Sequence, residues 1–291
     1  MRKPAIVVLI VLILMIGSFL YWVFRPSEVV LPPPVAEAPM PEWPVRKVIG
    51  TSVENRVIEA YTYGDGAIHL LFVGGMHGGY EWNSVYLAYR FLDYLNANPS
   101  VISSGLQVTI IPSLNPDGVY KVIGKEGRFD PNETPSVVAT ESGRFNAHGV
   151  DLNRNFDCKW QPTSTWRDKE ESAGTAPFSE PEAAALRDFV LTEKPTAVVF
   201  WHSQANAVYA SECEDGVLPQ TFDIMNAYAT AAGYDAVAKF DAYEVTGDSE
   251  GWLASIGIPA ITVELKTHET VEWEENKAGI KALFDYFNPR T

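Results

Sequence analysis

Positive charge is scarce in this chain. Its 291 residues hold 22 lysines and arginines against 37 aspartates and glutamates, a formal net charge of −15. A nucleic-acid backbone is bound by a basic face, so this balance argues against a nucleic-acid partner. It fits a soluble extracytoplasmic domain and attracts cationic substrates at long range. Cysteine is scarcer still: Cys158 and Cys213 are the only two, which permits at most one disulfide. The two thiols suit buried apolar positions and, outside the cytoplasm, a bridge. Histidine occurs five times, so an imidazole metal site must be drawn from a short list. From residue 48 onward there is no internal repeat, low-complexity run or second linker, which leaves one domain of catalytic size.

What is present begins with one long apolar run. After Met1-Arg2-Lys3, the stretch Pro4 to Phe24, "PAIVVLIVLILMIGSFLYWVF", has no charged residue. A helix of about 20 apolar residues matches the thickness of a bilayer core. Tyr21 and Trp22 stand near its end, where amphipathic aromatics favour the interface. A cleaved signal peptide is the alternative, with Arg2 and Lys3 as its positive region; the run is long for that, and no convincing cleavage site follows. The expectation is a membrane anchor over residues 1–25 with the bulk of the chain outside the cytoplasm. Residues 26–47, "PSEVVLPPPVAEAPMPEWPVRK", are rich in proline and read as a semi-rigid spacer. Residues 48–291 form the folded domain.

Within that domain, apolar runs alternate with segments of helical period. "AIHLLFV", Ala67 to Val73, reads as a buried strand ending in a glycine turn, and "WNSVYLAYRFLDYLN", Trp82 to Asn96, as a helix. "LQVTIIP", Leu106 to Pro112, is a second strand. A helix follows to Lys194, opened by Ser179 and Glu182 at capping-box spacing. "TAVVFWHS", Thr196 to Ser203, is a strand carrying His202 near its end. A helix over Gln220 to Ala232, a strand over Ile258 to Leu265 and a last helix in "VEWEENKAGIKALFDYF" complete the pattern. Strands alternating with helices predict an α/β sandwich around a largely buried sheet, with sites at strand ends.

Chemistry concentrates at those ends. "VGGMHGGYEWNS", Val73 to Ser84, sets His77 and Glu81 four positions apart among four glycines, and glycine in such density marks close backbone approach or unusual torsions. Catalytic zinc takes three nitrogen or carboxylate ligands and keeps a position open. His69 lies inside an apolar strand, and His148 and His268 fall in polar loops where surface roles are expected. His77, Glu81 and His202 remain as a His₂Glu set. Each alone reads as structural; together, at strand ends, they read as a metal site.

Three further stretches accompany this set: "NPDG" (Asn115 to Gly118), "RFNAHGVDLNRNF" (Arg144 to Phe156) and "AYEVTGDSEGW" (Ala242 to Trp252). With them the chain resembles the zinc carboxypeptidases of the carboxypeptidase A and B type, in motif order from about Gly74 to Leu265. The resemblance implies one zinc held by His77, Glu81 and His202. It implies Glu264 as general base, Arg144 as the oxyanion-stabilising arginine, Asn153 and Arg154 as the grip on a terminal carboxylate, and Tyr243 as a mobile cover. It places Glu250 at the base of the side-chain pocket, where an acid favours a basic terminal residue. The implied fold is a three-layer α/β/α sandwich with a mixed sheet of about eight strands.

The chemistry of these groups agrees. Zinc lowers the pKa of water to about 7, a carboxylate relays the proton to the leaving amine, and a guanidinium neutralises the oxyanion and forks onto a carboxylate. One departure stands out: the family's usual histidine–glutamate spacing has two intervening residues, and here there are three, with Gly78, Gly79 and Tyr80 where many members carry an arginine. The expectation is a membrane-tethered metallocarboxypeptidase acting on extracytoplasmic peptides, with a preference for basic or diaminopimelate-like ends. Cell-wall amidases or N-acyl amino acid deacylases on the same fold are alternatives, and a non-catalytic peptide-binding protein is the alternative of another class. In that setting Cys158 and Cys213, on segments that both leave the site, are expected to pair.

Overall fold

A computed structural model describes residues 3–24, 43–136, 140–167 and 169–288. The chain divides into two compact units, Met1–Pro41 and Glu42–Thr291. The first contains helix α1 (Lys3–Phe24). Among the described residues, no helix is long and apolar enough to cross a membrane. The expected transmembrane anchor is therefore not supported. Of the proline-rich spacer, residues 26–42 lie outside the described residues.

The second unit is built on one mixed sheet. Its strands are β1 (Val45–Thr51), β2 (Val57–Tyr63), β3 (Ile68–Val73), β4 (Leu106–Ile111), β7 (Ala197–Ser203), β8 (Ala207–Ala210), β11 (Asp235–Val237) and β12 (Ala260–Leu265). They are ordered β1-β2-β4-β3-β7-β12-β8-β11, an eight-stranded sheet as expected. The centre, β4, β3, β7 and β12, is parallel throughout. Parallel strands are buried on both faces, which is why β3 and β7 read as continuous apolar runs. Two short ribbons lie apart from it: β5 (Thr163–Trp166) with β6 (Lys169–Ser172), and β9 (Glu212–Cys213) with β10 (Gly216–Val217).

Helices cover both faces. Side chains alternate along β3: Leu70 and Phe72 enter one core, Leu71 and Val73 the other. The first core is closed by α2 (Trp82–Ala97), α5 (Pro219–Ala232) and α7 (Trp273–Phe287), and the second by α4 (Pro181–Glu193) and α6 (Ser249–Ser255). Helix α2 buries Val85, Ala88, Phe91, Leu92 and Leu95, one stripe at helical spacing. Phe72 meets Phe91 edge-on at 5.2 Å and stacks with Trp201 at 5.3 Å. Truncating a ring in such a cluster to alanine costs about 3–5 kcal/mol.

Two local expectations change. Helix α4 starts at Pro181 with Glu180 as its N-cap and no side-chain cap bond. Glu182 cannot reach back as a capping box requires, because its carboxylate accepts from the Val53 amide and from Asn146. "NPDG", read only as following a strand, opens helix α3 (Pro116–Ile123), and Asn115 caps it by accepting from the Gly118 amide at 2.8 Å.

Candidate functional site

The parallel strands β3 and β7 end side by side, with Val73 paired to Phe200. His77 sits in the turn that leaves β3, Glu81 is the N-cap of α2, and His202 is the penultimate residue of β7. The turn closes because Gly78 has a φ of +46°, and a Cβ there would stand 2.7 Å from the Gly143 carbonyl oxygen and 2.8 Å from the Gly118 Cα. No other residue fits that crossing. With the chain folded so tightly, three intervening residues still bring Glu81 to His77.

The three side chains converge. His77 Nδ1 lies 2.8 Å from Glu81 Oε1, His202 Nδ1 lies 3.0 Å from Glu81 Oε2, and the two Nδ1 atoms are 3.2 Å apart. One ligand atom from each falls within 4.8 Å of the others, and all three residues are buried. Burial alone would raise the Glu81 carboxyl, but His77 and His202 outweigh it and hold it well below the carboxylate range. Burial would lower His202, but Glu81 and then Glu250 drive it well above the usual imidazole value. A buried nitrogen–nitrogen–carboxylate set facing one point, with positive charge demanded there, suits zinc.

Each histidine has a carboxylate behind it. His77 Nε2 is 3.3 Å from Asp151 Oδ1, and His202 Nε2 is 3.5 Å from Glu250 Oε1. Asp151 also accepts from Arg144, at 2.7 Å from Nη2 and 3.1 Å from Nε. Arg144 is held at its backbone by Asn115, whose Nδ2 donates to the Arg144 carbonyl at 3.3 Å. The "NPDG" helix thus positions the arginine that "RFNAHGVDLNRNF" supplies.

Glu264 lies on β12 directly opposite His202 in the parallel register. It is partly exposed, but its Oε2 is buried with no hydrogen-bond partner among the described residues. Burial, reinforced by the charge of Glu81, pushes its carboxyl up to about 8. A carboxylate that resists giving up a proton is well matched to accepting one.

The remaining candidates lie around this centre. Arg154 is buried with its Nε unpartnered among the described residues, and its Nη1 donates to the Asn153 carbonyl at 2.6 Å. Asn153 Oδ1 accepts from the Ser249 amide at 2.9 Å. Tyr243 is half-buried in the loop before α6, 4.8 Å from the Phe240 ring, and its hydroxyl is raised by burial against the pull of Arg154 and Arg144. Glu250 is buried, with Oε1 accepting from Thr262 Oγ1 and Oε2 from Ser249 Oγ, each at 2.9 Å.

Three residues of the site escaped the sequence reading. Asp151 stands inside "RFNAHGVDLNRNF", and an acid two positions before "NR" is its one signal in the sequence. Trp166 and Glu171 had none, because β5 and β6 are four polar-rich residues each. Yet Trp166 lies 4.4 Å from the Arg144 guanidinium, and Glu171 Oε2 is 3.6 Å from Arg144 Nε. His268, expected at the surface, is buried: Ser203 lies 2.8 Å from its Nδ1 and the Tyr80 ring 4.5 Å from its own. His69 packs against Thr109 at 2.8 Å and His148 pairs with Glu180 at 2.7 Å, both away from the metal set. Cys158 and Cys213 form a disulfide, as expected.

Comparison with known proteins extends this picture. Residues 40–282 match the family model described as zinc carboxypeptidase. Gamma-D-glutamyl-L-diamino acid endopeptidase 1 of Lysinibacillus sphaericus is 25% identical over 239 residues, which cover 75% of this chain and 59% of that protein. The carboxypeptidase N catalytic chain of Homo sapiens is 36% identical over 121 residues, 37% of this chain and 25% of that one. The chain therefore spans less than two thirds of the length of either relative. The crystal structure of murein-tripeptide amidase MpaA from Escherichia coli O157 superposes with a TM-score of 0.61 at 21% identity, covering 85% of this chain and 94% of that one. A family model matched over most of the folded unit settles the lineage: the chain belongs to the zinc carboxypeptidase family.

Proposed function

We propose that this enzyme hydrolyses the amide bond preceding a terminal residue that keeps a free carboxylate, with diamino-acid-ended peptides as the substrate class. The observation that carries the reading is the pairing of Glu264 with the ligand His202 across β12 and β7. His77, Glu81 and His202 hold the zinc, which when bound supplies Lewis acidity to the reacting carbonyl and acidifies water. Glu264 takes the proton from the attacking water and passes it to the departing amine. Arg144, fixed by Asp151, meets the negative charge that develops on the carbonyl oxygen. Arg154 and Asn153 receive the terminal carboxylate, and Tyr243 closes over the bound residue.

The preference for an amine-bearing end rests on the charge of −15 and on the diamino acid in the endopeptidase relative's name. Glu250 is left out of this preference, because its Oε1 is turned to His202, 3.5 Å away. Glu214 and Glu244 line a cavity of about 610 Å³ together with Lys159, and Glu244 directly follows Tyr243 in the chain. The disulfide supports an oxidising, extracytoplasmic location. A cell-wall amidase is the second reading, favoured by the match to that endopeptidase over 75% of this chain. Incubating the protein with peptides ending in Lys, Arg, diaminopimelate, Leu, Phe and Glu, and with muropeptides, followed by mass spectrometry, tests both. Release of Leu or Phe in preference to the amine-bearing ends would overturn the substrate class. Cleavage of muropeptides alone would favour the amidase.

A further inference from the structure

The geometry points to Glu250 as a positioning residue for the metal centre: the acceptor that fixes the proton and ring plane of His202. This rests on the family's zinc chemistry but not on the choice of substrate.

His202 aims Nδ1 at Glu81 and His77, at 3.0 and 3.2 Å. A neutral imidazole that ligates through Nδ1 carries its proton on Nε2, and that N–H needs an acceptor when buried. His202 Nε2 is fully buried and has no close hydrogen-bond partner among the described residues. Glu250 Oε1 stands 3.5 Å from it, slightly long for a hydrogen bond and within ion-pair reach.

Glu250 is itself held in place. Thr262, two positions before Glu264 on β12, donates to Oε1, and Ser249 donates to Oε2. A carboxylate braced on both oxygens and 3% exposed is built to face one fixed partner. The neighbouring ligand shows the same construction: Asp151 stands 3.3 Å behind His77 and is braced by Arg144. Two histidines, each backed by a braced acid, form a symmetrical pair of supports. Such partners orient ligands and raise their basicity, and their loss costs about 10–100-fold in metal affinity. Of the two oxygens held by Thr262 and Ser249, Oε1 is the one turned to His202.

The test is zinc affinity by chelator competition, with no substrate present. Glu250→Gln keeps the shape but replaces the charged acceptor, and the expected result is a zinc Kd raised about 10-fold or more. The d–d absorption of the cobalt-substituted protein should shift as well, because the His202 plane is no longer fixed. The rank order of cleaved peptides should stay as in the wild type. Thr262→Val, which removes only the brace on Oε1, should give a smaller loss in the same direction and decides the matter if Glu250→Gln does not fold. Wild-type zinc affinity in the folded variant, or a reordered peptide ranking with zinc binding intact, would overturn the assignment. Failure to cleave any peptide would sink the proposed function and leave this result standing.

Discussion

Glu264 faces His202 across two neighbouring parallel strands, residue for residue. The sheet itself therefore sets the distance between the two side chains, independent of any loop. Glu264→Gln should keep the fold and the zinc while lowering kcat by about 100- to 10,000-fold, since an amide cannot accept the proton. The check is turnover alongside metal content. Near-normal turnover would remove Glu264 from the mechanism.

Metal content tests the ligand set directly. Purified protein should carry about one zinc, and His202→Ala should lose it, because one of three ligands and the partner of Glu250 disappear together. Glu81→Gln should also weaken binding, despite the longer spacing from His77, since the carboxylate bridges both imidazoles. Stoichiometric zinc in the His77→Ala, His202→Ala double variant would contradict the site.

Much of this was legible because residue type and position agreed. His77 and His202 follow apolar runs that only buried parallel strands produce, so their convergence followed from the fold class. The edge was harder. β1 is "VRKVIGT", with two adjacent cations and mostly exposed side chains, and it begins inside what reads as spacer. The β5–β6 ribbon is too short and polar to announce itself, although Trp166 packs on Arg144. The resemblance placed Glu250 at the base of the side-chain pocket but carried no sign of what holds its carboxylate. That depends on Thr262, twelve residues away on another element.

Glu171 gives a pH signature. Burial, then the charge of Asp151, pushes its carboxyl up to about 8, and Arg144 offsets this only in part because Asp151 already engages it. Its folded pKa exceeds the ordinary value of 4.5, so the stability it contributes is full below about pH 4.5 and is lost as pH rises through about 8. Glu171→Gln should therefore be more stable than wild type at pH 8.5, by about 1–2 kcal/mol, with the gap closing towards pH 5. Urea melts at the two pH values decide it. A gap of the same size at both would show that Glu171 does not titrate in this range.

The disulfide closes a loop of 55 residues between the segment after "DLNRNF" and the β9 ribbon. Loop-closure entropy puts its contribution at about 4 kcal/mol at most. The Cys158→Ser, Cys213→Ser double variant should melt earlier by an amount consistent with about 2–4 kcal/mol while keeping zinc. Two reactive thiols in unfolded, unreduced wild-type protein would exclude the bridge.

The last prediction concerns Gly118, which touches no substrate. A Cβ there would lie 2.3 Å from the Gly143 carbonyl oxygen and 2.7 Å from Asn115 Nδ2. Gly143 directly precedes Arg144, and Asn115 holds the Arg144 carbonyl. Gly118→Ala therefore pushes on both supports of the arginine, and backbone cannot yield as a flexible side chain would. His202 stands on β7 and Glu81 at the start of α2, so zinc should remain bound, though more weakly because the His77–Gly78 turn packs on the Gly118 Cα. The expected result is a kcat lowered about 10–100-fold, on the scale of a displaced oxyanion donor, with KM for short peptides changed much less. Asn115→Ala loses both the cap and the carbonyl contact and should move kcat in the same direction, with about 1 kcal/mol of stability lost. Metal content, kcat, KM and melting temperature of both variants separate the outcomes. Unchanged kcat in a zinc-loaded, folded Gly118→Ala protein would show that Arg144 is positioned by Asp151 alone.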